Sequence, residues 1–476
     1  MKTNRNLKLI PIFLLLLIGS CVVPKSNLKK QTNTQPKSFV TSTDTLNSAT
    51  LNWKKYFNDP NLIVLIDSAL IHNQELNIIS QEVNIANNEV RAKKAAYLPF
   101  VGVGLGAGAD KFGLYTSPGA VDKSIQVETG KENPVPLPNL AGGIFASWEV
   151  DIWKKLRNYK KSAVNNYLAS IEGRNFAVTN IVAEIANSYY ELVALDNQLS
   201  ILKKNIEVQK SALDIVKLEK ISARVTELAV KKFEAEVLKN QSRQFEIEQE
   251  IIVIENRINF LVGRYPQKIN RQSDNFVDLA IDTVYSGVPS QLLDNRTDVR
   301  QAAKMVEAAN LNVKAVKAEF YPSLNIRSGL GYSAFNVKYL IQTPQSLAFN
   351  LAGDLIAPLV NRNAIKAEYF NAGARQIQSV YKYEQTLLNA HLEVSNLLWA
   401  MTNLKQNFTY KNKEVEALVE SYNISITLFR SARADYMEVL LTQRDALEAK
   451  FDLVETKKQQ MQARINLYKT LGGGWR

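Results

Sequence analysis

The stretch "VRAKKAAYLPF", Val90 to Phe100, has an echo in "VKAVKAEFYPS", Val313 to Ser323. Val, Ala, Lys, Ala and Pro stand at equivalent positions of both. Each copy reads as the end of a helix, because a proline pushes the residue before it out of helical backbone. Beyond each proline the rhythm changes. "PFVGVGLGAGA" sets Val101, Val103, Leu105 and Ala107 on one side and Gly102, Gly104 and Gly106 on the other. A period of two predicts a strand. "LAGGIFASWEVDIW" alternates through Leu140, Gly142, Ile144, Ala146, Trp148 and Val150. After the second copy come "LNIRSGLGYSA" and "SLAFNLAGDLIAPL", in which Leu347, Phe349, Leu351 and Leu355 share a face.

Four strands are therefore expected, at about 98–109, 140–150, 323–334 and 346–357. Each is about ten residues long, as a tilted membrane-crossing strand is. A Gly/Pro-rich loop, roughly Asp110 to Asn139, joins the first pair, and a shorter one, Phe335 to Ser346, joins the second. Long loops on one side fit an extracellular face. A soluble hairpin packed on a core is the alternative. In a membrane, four strands cannot close a barrel, so that reading requires oligomerisation.

The rest of the chain reads as helix. Arg157 to Lys220 contains no proline and a single glycine, Gly173. Ile185, Tyr189, Leu192, Leu195, Leu199, Leu202 and Ile206 step mostly by three or four, the seam of a coiled coil. Val394, Leu397, Met401, Leu404, Phe408, Val415, Leu418 and Tyr422 repeat it. "RINFLVG" from Arg257 is answered by "RINLYKTLGG" from Arg464, so the duplication extends to the end of each half.

Each long tract is interrupted once, by "SAR". The first copy is Ser222, Ala223 and Arg224, and the second is Ser431, Ala432 and Arg433. Thr226 and Asp435 come next at equivalent positions and are expected to cap the next helix. Asp435 and Glu438 also have capping-box spacing. Both segments read as tight turns between antiparallel helices. A plain turn with surface arginines satisfies the same pattern.

Composition excludes several classes. The net charge is +12, with Lys2, Arg5 and Lys8 in an apparent leader. The remaining Lys and Arg lie among Glu and Asp without a dense basic block, so nucleic acid is not an expected partner. His72 and His391 are the only histidines and Cys21 the only cysteine, which leaves no disulfide, catalytic triad or metal set to assemble. No catalytic residue, metal or cofactor is expected, and the chain is not expected to be an enzyme. "MKTNRNLKLIPIFLLLLIGSC" has a basic start and an apolar run from Leu9 to Ile18, as a secretory signal does. Ile18-Gly19-Ser20-Cys21 resembles a lipobox, which makes Cys21 the expected acylation site. Residues 1–20 are then the signal peptide and 21–59 a lipidated, polar tether.

These features together resemble the TolC-like outer-membrane efflux factors, in their NodT-type lipoprotein branch. The likeness covers nearly the whole chain. "LNWKKYFNDPNLIVLIDSALIHNQEL" resembles the family's opening helix through Trp53, Phe57, Asp59, Leu62, Leu65, Ala69, Leu70 and Asn73. "FASWEVDIWKKLRN" resembles the exit from the first strand pair, through Trp148, Glu149, Asp151 and Ile152. "VPSQLLDNRTDVRQAA" resembles the start of the second half, and "LYKTLGGGW" the C-terminal ending. Thr297 stands where the family commonly has Pro, and Ala223 and Ala432 where it commonly has Gly.

The resemblance implies a mainly α fold with a membrane β-barrel. Three chains of four strands would close twelve strands in the bacterial outer membrane, and the long helices would form a tunnel through the periplasm. Residues 60–263 and 289–476 would be the two structural repeats, with 264–288 a belt around the tunnel. The SAR turns would be periplasmic tips that meet an adaptor protein. Met437, Glu438 and Leu441 would face the closed entrance, although Glu438 equally suits a helix cap. The implied function is a passive exit duct for small toxic molecules, driven by an inner-membrane pump of the resistance-nodulation-division type. Ducts for type I protein secretion or metal-ion export are the alternatives within the class, metal being disfavoured by only five methionines. A non-conducting lipoprotein coiled-coil scaffold is the alternative outside it.

Overall fold

A computed structural model describes residues 23–32, 35–39, 46–126, 129–358, 360, 362–431 and 433–476. Cys21 and Ala432 lie outside the described residues. The helices are α1 (Trp53–Phe57), α2 (Pro60–His72), α3 (Gln74–Ala95), α4 (Ser117–Ser124), α5 (Lys155–Ile221), α6 (Glu227–Val262), α7 (Leu292–Asn295), α8 (Thr297–Ala318), α9 (Asn363–Arg430) and α10 (Tyr436–Thr470). The strands are β1 (Phe100–Asp110), β2 (Leu137–Val150), β3 (Ser323–Ala334) and β4 (Leu347–Ile356). The chain divides into two compact units. One gathers Ile85–Tyr167 and Lys304–Tyr381 with the described residues up to Lys30, and the other gathers Gln31–Asn84, Leu168–Ala303 and Lys382–Arg476.

In the first unit the four strands form one antiparallel meander, ordered β1-β2-β3-β4. Pairing of β1 with β2 runs out to Asp110 opposite Leu137, so β2 begins earlier than its apolar alternation suggests. The register joins the sequence patterns into two continuous faces. Val103 lies opposite Ile144, Ile144 opposite Leu330, and Leu330 opposite Phe349. This face is apolar and exposed, with Leu105 at 90% and Phe349 at 82%. The other face carries glycines and the polar side chains of Ser147, Glu149, Asn325, Arg327, Asn350 and Asp354. Arg327 and Asp354 approach to 3.9 Å on it.

Glycine makes that second face possible. A Cβ on Gly143 would lie 2.5 Å from the Leu330 carbonyl oxygen and 2.7 Å from the Cα of Gly331. A Cβ on Gly331 would lie 2.3 Å from the Gly142 oxygen. Cβ atoms of directly paired residues normally stand about 4.5–5.5 Å apart. Only glycine admits so close an approach of neighbouring backbones on this face. The outer edges of β1 and β4 have no strand partner among the described residues.

Aromatic side chains collect where strands meet helices. Trp148 Nε1 donates to the Tyr97 carbonyl at 3.2 Å, and Trp153 Nε1 to that of Pro322 at 2.8 Å. Such rings suit a membrane interface, apolar in body and polar at one atom. Asp151 then starts α5. Its carboxylate accepts from the N–H groups of Leu156 and Arg157 and from Arg157 Nε, each at 3.0 Å. Burial pushes this carboxyl up, but these hydrogen bonds outweigh it and hold it below the usual carboxylate range.

In the second unit, the α5 seam is packed as its period requires. Ile185, Tyr189, Leu192, Leu202 and Ile206 are buried. The α9 seam beyond Val394 is only half-buried in the single chain, from Leu397 to Tyr422. α2 and α6 meet end to end. Asn73 Nδ2 donates to the Leu261 carbonyl at 2.8 Å, and a Cβ on Gly263 would lie 2.3 Å from the His72 carbonyl oxygen. Residues 264–288 are irregular and are clamped by arginine and lysine. Arg271 pairs with both Asp196 oxygens and with Glu255, joining α5 and α6. Arg464 holds Asp282 at 2.7 Å, and Lys457 donates to the Leu279 carbonyl.

The segment read as a lipidated, polar tether, 21–59, is docked where the structure describes it. Lys29 N–H donates to Gln376 Oε1 at 3.1 Å, and Gln376 Nε2 returns a bond to the Lys29 carbonyl at 2.7 Å. Phe39 is buried and stacks on His391, with ring centres 5.3 Å apart. Trp53, Tyr56 and Phe57 are buried in α1. Isolated aromatic residues in a polar segment are enough to dock it, since each buries a large apolar area.

The glycine face makes a specific expectation. Gly331→Ala should reduce the fraction of heat-resistant trimer on denaturing gels, whereas Gly106→Ala, which meets nothing within 4 Å, should leave it unchanged. Equal behaviour of the two variants would show that the sheet does not depend on this close approach.

Candidate functional site: two helical tips

α5 stops at Ile221 for a backbone reason. Ala223 takes a left-handed φ of 58°. The Arg224 N–H then reaches back to the Glu219 carbonyl at 2.9 Å, and the Ala223 N–H to that of Lys220 at 2.9 Å. This is the Schellman pattern that closes a helix C-terminus. Alanine in place of the usual glycine does not prevent it, though the left-handed state costs a Cβ-bearing residue about 1–2 kcal/mol. The second tip shows the equivalent long bond, from the Arg433 N–H to the Leu428 carbonyl at 2.8 Å. Ser222 Oγ donates back to the Leu218 carbonyl at 3.3 Å, and Ser431 Oγ to that of Leu428 at 2.9 Å. Ser222, Ala223, Arg224, Ser431 and Arg433 are all exposed.

The helices restart where expected but not by the expected contact. Thr226 and Asp435 occupy the N-cap positions of α6 and α10 with extended backbone, yet neither side chain accepts a hydrogen bond from the helix. The first turns close instead through main-chain bonds, Ala229 N–H to the Thr226 carbonyl and Glu438 N–H to the Asp435 carbonyl, each at 3.1 Å. Both caps are exposed, so water can satisfy the remaining N–H groups.

Packing brings the two tips together. Leu213, Val216, Ala229, Val230, Phe233 and Val237 form one buried cluster from α5 and α6, and Tyr436 and Leu440 of α10 pack against it. Lys232 Nζ lies 4.0 Å from Met437 Sδ. Met437 is half-buried, while Glu438 and Leu441 are exposed on the first turns of α10.

Several contributors were not evident in the sequence. Lys220 pairs with Glu227 across the first turn, and that hydrogen bond holds the Glu227 carboxyl below its ordinary range. Opposite charges flanking "SAR" were the available signal. Arg243 pairs with Glu448 at 2.6 Å and lies 4.1 Å from the Phe451 ring centre, tying α6 to α10. Asn240 Nδ2 donates to Gln209 Oε1 at 2.9 Å within the first hairpin, and Ser425 and Thr442 hydroxyls meet at 2.9 Å within the second. These pairings need the register between helices, which no local pattern carries.

Comparison with known proteins gives this arrangement its context. The chain matches the outer membrane efflux protein family over residues 65–264 and 288–473, the two repeats on either side of the irregular belt. It is 24% identical over 474 residues to the cation efflux system protein CusC of Escherichia coli O6:H1, spanning 98% of this chain and 99% of that one. It is 26% identical over 424 residues to the pyoverdine export outer membrane protein OpmQ of Pseudomonas aeruginosa, spanning 89% and 87%. Its fold is that of the open-state MtrE outer membrane channel of Neisseria gonorrhoeae, with a TM-score of 0.82 at 19% identity over 95% of this chain and 99% of that one. The four antiparallel strands belong to an outer-membrane channel, and the long helices to its periplasmic tunnel. Homologous efflux channels work as trimers with an adaptor and an inner-membrane pump. This chain belongs to the outer membrane efflux protein family, as the outer-membrane exit channel of a tripartite efflux system.

Proposed function

We propose that this chain passes small toxic molecules or drugs passively, performs no chemistry itself, and stands on its adaptor through the two tips. The observation that carries this is the equivalence of the tips. Each has the same long turn bond and sets an arginine, Arg224 or Arg433, into solvent. Small neighbouring residues let a partner helix come close, and a guanidinium supplies donors in a fixed fork. The pump supplying the energy is of the resistance-nodulation-division type. Adaptor binding shifts the tips between closed and open packing.

Met437, Glu438 and Leu441 form the entrance in this reading. Glu438 is exposed, so its carboxylate is available to repel its two symmetry mates and to attract cations. Leu441, 40% exposed, makes the constriction partly apolar. Cys21 carries the lipid anchor in the outer membrane, where each buried methylene contributes about 0.8 kcal/mol. The likeness to OpmQ, a pyoverdine exporter, supports a small-molecule cargo. Cation export is a second reading, favoured by the likeness to CusC over 98% of the chain.

Photo-crosslinkers at positions 224 and 433 should capture a periplasmic adaptor in cells, and capture of none from either position would remove the tips as its footing. Glu438→Ala should lower the cation-to-anion permeability ratio in planar bilayers, with an unchanged ratio excluding Glu438 from the entrance. For Cys21→Ser, mass spectrometry should find no acylated N-terminal peptide; persistent lipid would refute anchoring at this cysteine.

A further inference from the structure

Among the described residues, the polar side chains buried along α10 each keep at least one hydrogen bond except Gln443; Arg464 leaves its Nε unpaired while its Nη2 bonds the Tyr56 carbonyl and Asp282. Thr456 Oγ1 donates to the Asp452 carbonyl at 2.8 Å, Gln460 Nε2 to that of Leu404 at 3.0 Å, and Thr470 Oγ1 to that of Leu467 at 3.1 Å. Lys457 and Arg464 hold the belt. Gln443 is 3% exposed, and neither its Nε2 nor its Oε1 has a hydrogen-bond partner among the described residues. A primary amide offers two donors and an acceptor, so burying it unpaired disfavours the packing that buries it.

The position of Gln443 gives that penalty a meaning. Residues 436, 440, 443 and 447 step by four, three and four, one stripe of a helix. Tyr436 and Leu440 on this stripe pack against the hydrophobic cluster of the first tip. One turn before Gln443, Val439 lines a cleft of 340 Å³ together with Val216, Phe233, Tyr422, Ile426 and Phe429. Unfilled space here means apolar contacts not made. Within each hairpin a polar pair is satisfied, Asn240 with Gln209 and Ser425 with Thr442. The unpaired amide and the cleft thus fall in the packing of the two hairpins on each other. The equivalent position in the first half is Glu234, which is half-buried and paired with Lys231, so the device is particular to the second hairpin.

We infer that Gln443 is a positioning residue for gating, one that keeps the contact between the two hairpin tips marginal so that the entrance can open. Any rearrangement that parts the hairpins lets water reach the amide and relieves the penalty. An apolar side chain of the same shape removes the penalty from the packed state and should hold the tips together. The inference rests on the reading of the tips as a moving entrance.

Amide hydrogen exchange of the full-length trimer tests it. Gln443→Met should slow exchange in segments 213–237 and 436–447 by about tenfold or more, the effect expected from removing one unpaired buried amide. Exchange in the four strands should not change. Gln443→Glu should speed exchange at the tips by placing a charge on the same face. In cells, Gln443→Met should reduce efflux of a fluorescent substrate at equal trimer abundance, an effect that altered stability alone would not produce. Unchanged or faster tip exchange in Gln443→Met would overturn the inference. Gln443→Leu provides a second apolar variant, and failure of both to assemble would also overturn it by showing that the amide is needed for packing. A tip that does not exchange in the wild-type trimer, together with an unchanged permeability ratio in Glu438→Ala, would count against the moving entrance itself.

Discussion

Every backbone polar group in hydrocarbon must find its partner within the protein, because leaving one unpaired costs several kcal/mol. Among the described residues, the four-stranded sheet of this chain has one apolar face and two unpaired edges. Such a sheet is unfinished by itself, and closure with two further copies removes both edges at once. The half-buried α9 seam makes the same demand on the helices, since an apolar stripe left open in one chain is covered in an assembly. Hydrogen bonding in the membrane and packing in the periplasm thus both call for an assembly of several copies, as the trimeric homologues form.

Within one chain, long helices need cross-ties that a coiled-coil seam does not supply. The belt provides them with charged groups, alongside its buried Ile269, Phe276 and Val284. Arg271 is bonded to both α5 and α6, and Arg464 holds Asp282 of the belt against α10. Arg296, nearly buried, bonds Asp298 and Glu393 and the Thr470 carbonyl, tying the start of the second repeat to its end. Guanidinium suits these places because one planar group can serve several acceptors in a fixed geometry. Toward the tips the ties thin out to apolar contacts and a few exposed ion pairs, each of modest worth. Firm packing at the belt and marginal packing at the tips is what an entrance that opens at one end requires.

The duplication and the alternation of the four strands were legible in the sequence, and the register joined them into one apolar and one glycine-rich face. Ala223 and Arg433 sit in the turns that the repeated "SAR" suggested. Thr226 and Asp435 hold the N-cap positions that their type suggested, but neither side chain accepts a helix N–H, because residue type sets the position of a cap and not its rotamer. In the sequence the docking of the tether was not legible. Its polar composition hid Gln376, a single side chain that pairs with both backbone groups of Lys29.

The sequence by itself determined what depends on short-range period and on local backbone preference. It set where helices and strands form, where each long helix turns, and that the chain repeats itself. Only the tertiary structure decided which side chains meet across helices separated by tens to hundreds of residues. Arg243 with Glu448 and Tyr436 with the first tip are pairings of this kind. Gln443 shows the difference most directly. In "LLTQRDAL" it reads as an ordinary polar residue, and its burial without a partner among the described residues emerges only once α10 is packed.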